Sequence, residues 1–81
     1  MEDLEKGIES LKYKIVERYG EKGWGISVSR HEITGLIVEE WDELLEALRS
    51  NDVDDFCAEL RDIAVACLHG MISIRTGKMD W

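Results

Sequence analysis

Eighty-one residues make room for one small domain, and a chain of this length covers its own apolar surface incompletely, so association with further copies is expected. Ten basic against eighteen acidic residues give a formal charge of −8, which argues against nucleic acid or an anionic membrane as the partner. No apolar run nears the roughly twenty residues a membrane helix needs, and the start MEDLEKGIES lacks a signal-peptide pattern, so a cytoplasmic protein is expected.

Proline is absent, and apolar and polar residues alternate strictly only around Ile26 to Val28, which predicts an all-α chain. The first helix is expected from about Asp3 to Tyr19, with Leu4, Ile8, Leu11, Ile15 and Tyr19 at three- and four-residue spacing. Gly20, Gly23 and Gly25 end it and open the segment GEKGWGISVS. The glycine spacing there matches neither a P-loop nor a dinucleotide fingerprint. Trp24, flanked by glycines, either stacks on a planar base or plugs the end of the core.

Ser29 to Glu32 has the pattern of a capping box, so the second helix should start near Arg30 and run to Arg49 or Ser50. Its apolar stripe is read as Ile33, Ile37, Trp41, Leu44 and Leu48, and Gly35 within it suggests close approach of another backbone or a ligand. Asn51 or Asp52 caps the third helix, which extends to about Thr76 before Gly77, with a stripe of Phe56, Leu60, Ile63, Cys67 and Met71. So short a connection makes the second and third helices an antiparallel hairpin. Cys57 and Cys67 lie too far apart along one helix to bridge and are expected as reduced core residues. His31 and His69 show no zinc-ligand spacing with them.

Glu40 and Glu43 on the second helix, and Glu59 and Asp62 on the third, are two carboxylate pairs, each three residues apart and so on one side of its helix. Each pair lies at the edge of an apolar stripe, so an antiparallel hairpin would aim all four carboxylates into one cleft. There they would repel one another unless a positive group stood among them. Mg2+ or Mn2+ suits such a cleft, because hard cations prefer oxygen ligands.

These residues resemble the all-α nucleoside triphosphate pyrophosphohydrolases, the MazG-like and dimeric dUTPase-like proteins, whose pattern is Glu-x-x-Glu on one helix and Glu-x-x-Asp on the next. The likeness covers the second and third helices, about half of the chain. It implies a single MazG-like domain over residues 1–81, in which the hairpin and the N-terminal helix complete a four-helix-type bundle by forming a homodimer or homotetramer. It further implies that Glu40, Glu43, Glu59 and Asp62 are the catalytic, metal-binding residues and that Mg2+ holds a nucleoside triphosphate for hydrolysis to monophosphate and pyrophosphate. Many members hold phosphate with basic residues downstream of the second acidic motif. Here these are Arg75 and Lys78, with Lys22 and Arg30 upstream, and Trp24 is the candidate for the base. The adjacent Glu39 points further from the cleft. The competing expectation is a non-catalytic acidic helical module for dimerisation or for docking a basic partner. A di-iron carboxylate bundle lacks the Glu-x-x-His motifs it needs.

Overall fold

The computed structural model describes residues 1–20, 25, 27 and 29–77. Among these the chain is three helices: α1 (Glu2–Gly20), α2 (Arg30–Ser50) and α3 (Val53–Arg75). No helix among the described residues is long and apolar enough to cross a membrane.

The helix ends follow the local chemistry that the sequence advertises. Ser29 caps α2, its hydroxyl accepting from the Glu32 N–H at 3.2 Å. Asp52 caps α3 by accepting from the Asp55 N–H at 3.0 Å, and Asp54 and Asp55 add negative charge at the positive end of the helix dipole. Asn51 instead closes α2. It takes the left-handed conformation (φ 59°) that asparagine tolerates, and its N–H reaches the Leu48 carbonyl. Only these two residues separate the helices, so α2 and α3 fold back on one another as an antiparallel hairpin.

The hairpin closes tightly at Gly70. A Cβ there would lie 2.8 Å from Ile33 Cγ2, so only glycine lets the two helices approach at this level. Gly35 does not play that part: it is exposed and a Cβ would meet nothing within 4 Å. The close approach falls on the other helix.

The small core consists of Leu44 and Ala47 of α2, Val65 and Ala66 of α3, and Ile15 of α1. The expected stripe of α3 is displaced by about one residue, or about 100° of rotation. Leu60, Cys67 and Met71 are exposed, and Cys57 is exposed too, so neither cysteine is a core residue. The inward face runs instead through Glu59, Asp62, Ala66, His69 and Ser73. The reason is that α3 packs against both other helices, so its buried sector is set by two neighbours and not by its most apolar line. Trp41 and Leu48 of α2 likewise lie outside the core, half or more exposed.

α1 runs in the same direction as α3, with its backbone against α3 and not against α2. Only Ile15 is buried along its length. Nearer its start, Leu4, Ile8 and Leu11 line a groove of about 690 Å³ shared with Ala58, Leu60 and Arg61 of α3.

Candidate metal centre

Helical spacing and the antiparallel hairpin together bring the carboxylates of α2 and α3 face to face. Glu40, Glu43 and Glu59 each offer an oxygen, and these oxygens lie within 4.8 Å of one another. Glu43, the exposed member, acts on both Glu40 and Glu59, through its charge and as a hydrogen-bond partner for their protonated forms. Asp62, one turn beyond Glu59, stands beside this trio without being part of it. It faces Arg18 of α1 at 3.6 Å and the neighbouring Arg61 at 3.8 Å.

The electrostatics follow from that crowding. Burial is the largest influence on Glu40, followed by the charges of Glu43 and Asp62 and the hydrogen bond with Glu43. Together they push its carboxyl up to about 7, with Arg18 pulling the other way. Glu59 is raised for the same reasons, burial first, with Asp55 adding a smaller push. Glu40 Oε2, Glu59 Oε2 and Asp62 Oδ1 are buried and receive no hydrogen bond. Buried acceptors without donors are costly.

A hard divalent cation fits this donor set. Carboxylate oxygens are its preferred ligands, those of the trio are already near the spread an octahedral ion spans, and the orphaned oxygens lack any other positive partner at hydrogen-bonding range. The expected quartet is thus a trio with a fourth acid engaged by arginine.

Arg18 is the group that sequence reasoning missed, and its position carried a signal. It lies three residues after Ile15 and seven after Leu11, on the stripe that faces α3. His69 was missed in the same way. It lies seven residues after Asp62 on the acidic face of α3 and is almost wholly buried at 1% exposure.

The other predicted residues are not brought to this centre. Arg75 is exposed and lies about 20 Å beyond Asp62 along the axis of α3, too far for its side chain to reach the carboxylates. Arg30 at the start of α2 and Glu39 are exposed. Trp24, Lys22 and Lys78 lie outside the described residues.

Fold and site together define a small all-α chain with a carboxylate centre held between the two arms of a helical hairpin. Compared with protein-family models, with curated proteins and with solved structures, the chain finds no match.

Proposed function

We propose that the chain is a cytoplasmic, Mg2+-dependent nucleoside triphosphate pyrophosphohydrolase that releases nucleoside monophosphate and pyrophosphate. The observation that carries this reading is the convergence of Glu40, Glu43 and Glu59 from two helices on one partly buried point. Those three, with Asp62 beside them, would hold the cation, and Mn2+ would serve in place of Mg2+. When bound, the cation offsets triphosphate charge and polarises the phosphoryl group.

The remaining chemistry belongs to the side chains. Glu43 adds its charge to both Glu40 and Glu59, which keeps the trio in need of a cation. Arg18 holds Asp62 in place and brings positive charge to the edge of the centre, where an anionic substrate needs it. Arg61 adds a second guanidinium on the same side. Both stand closer to the acids than Arg75 does, so the phosphate-facing role moves from the end of α3 to these two.

Oligomerisation is part of the proposal. Leu60, Met71 and Ile74 form an exposed apolar stripe on α3, and Leu4 and Ile8 of α1 border the groove beside it. A homodimer or homotetramer covering these faces would complete a four-helix-type bundle. The same stripe is what favours the second reading, a non-catalytic acidic module for self-association.

Pyrophosphate release from a panel of nucleoside triphosphates with Mg2+, for wild type and Glu59→Gln, separates the two. Release that is lost in the variant supports the enzyme. No release from any nucleotide, with the oligomer intact, leaves the interaction module.

A further inference from the structure

Among the described residues His69 is the largest fully buried side chain, and two hydroxyls hold its ring. Tyr19 Oη of α1 lies 2.9 Å from Nδ1, and Ser27 Oγ lies 2.7 Å from Nε2. Ser73, one turn further along α3, accepts from the Ser27 N–H at 3.1 Å and donates to the His69 carbonyl at 2.9 Å. One imidazole therefore gathers the last turn of α1, Ser27 of the stretch leading to α2, and α3. The Tyr19 ring also packs tilted against the imidazole, 5.6 Å between centroids. Because Ile15 is the only buried residue of α1, the half-buried Tyr19 makes this node a principal tether of that helix.

A neutral imidazole has one donor and one acceptor nitrogen, and the two hydroxyls use both. With the proton on Nε2 the ring donates to Ser27 and accepts from the Tyr19 O–H; the other tautomer reverses both bonds. A second proton makes both nitrogens donors, and the hydroxyl that was donating loses its acceptor. Among the described residues, the groups that act on the ring include the Tyr19 phenol from α1, with Arg18 next to it in sequence, the Ser27 hydroxyl, and the charge of Glu32 from α2. Burial holds the ring below the ordinary histidine range, and the Glu32 charge opposes this only in part.

We propose that His69 is a proton-operated latch: the neutral ring locks the end of α1 and Ser27 onto α3, and uptake of a second proton unlocks them. Arg18 immediately precedes Tyr19, so unlocking also withdraws its guanidinium from Asp62. That last consequence matters for catalysis only if the acidic centre is the site proposed above; the latch itself does not depend on it.

The test combines NMR titration of the histidine rings with amide exchange along α1 in the full chain, from about pH 7.5 to about pH 5, a range that spans the ordinary histidine value. In wild type, exchange at residues 15–20, corrected for its intrinsic pH dependence, should rise roughly tenfold in step with His69 protonation, with α2 unaffected. His69→Gln, which cannot take up a proton, should show no such step whatever its basal exchange. Glu40→Gln should keep the step, which separates it from carboxylate titration. A His69 that stays neutral to the acid end, or that titrates with α1 exchange unchanged, overturns the latch, as does an equal step in His69→Gln. Should His69→Gln fail to fold, the wild-type correlation between ring titration and exchange decides alone. No readout here involves metal or nucleotide, so failure of the latch and failure of the enzymatic reading remain distinct.

Discussion

Arg18 of α1 and Asp62 of α3 face each other at 3.6 Å, both more than four-fifths buried, and so the acidic centre contains a cation of its own. A cluster of carboxylates in a low-dielectric setting needs positive charge, and in the metal-free chain a guanidinium supplies part of it. Arg18 and an incoming divalent ion therefore compete for Asp62 while serving the same electrostatic need.

Replacing Arg18 with glutamine should destabilise the metal-free protein by about 1–3 kcal/mol, because a mostly buried carboxylate loses one of its two arginine partners among like charges. Mg2+ or Mn2+ should then raise the melting temperature of Arg18→Gln more than that of wild type, since the ion meets one competitor fewer and only Arg61 remains beside Asp62. Thermal melts with and without Mn2+ check both parts. An Arg18→Gln protein as stable as wild type would mean that the ion pair contributes nothing.

The raised carboxyls fix the sign of the pH dependence. Glu40 titrates at about 7 in the folded chain against an ordinary value of 4.5, so between these values the folded state binds more protons than the unfolded one. Its stability contribution is present below about pH 4.5 and is lost as pH rises through about 7. Glu59 acts in the same direction. His69 works against them: its value is lowered, so its contribution is present above about 6.5 and lost as pH falls. Glu40→Gln should thus be more stable than wild type above neutral pH without metal. In urea titrations across this range its stability should change with pH along a more positive slope than that of wild type, with the Glu59 and His69 contributions left to oppose one another.

Metal binding should carry the same signature. Ligand carboxyls must lose their protons to bind, so Mn2+ affinity in wild type should climb as pH rises towards and past 7 and should release protons measurable by calorimetry in buffers of different ionisation heat. Glu59→Gln should bind weakly or not at all. Equal titrations for the two proteins would refute a shared metal site.

Two glycines separate helix packing from helix propensity. Gly70→Ala should cost about 1–3 kcal/mol, because the new methyl meets Ile33 at 2.8 Å and α2 and α3 must part. Gly35→Ala, in open space on an exposed helical face, should stabilise by up to about 1 kcal/mol. Chemical denaturation of the two variants gives opposite signs, whereas equal signs would show that this helix crossing is misplaced.

The exposed stripe of α3 gives the last expectation. Leu60→Glu and Met71→Glu, each on the outer face, should convert an oligomer to monomer in light scattering with the helical content largely kept. A wild-type chain already monomeric and stable at micromolar concentration would remove the oligomer from the proposal.

Local chemistry carried much of the fold in the sequence itself. The caps at Ser29 and Asp52, the two-residue turn and the 3.6-residue period fix three helices and a hairpin. Those same features place Glu40, Glu43 and Glu59 opposite one another, because such signals depend only on near neighbours in the chain. Which sector of α3 is buried was decided only by tertiary packing. The hydrophobic line through Leu60, Cys67 and Met71 predicts one buried face, but α1 and α2 approach α3 from two sides and enclose the line through Asp62, His69 and Ser73 instead. Arg18 against Asp62, and Tyr19 against His69 across 50 positions of sequence, follow from that choice of face. No periodicity within a single helix encodes them, since a helix pattern states which residues share a side but not which neighbour will cover it.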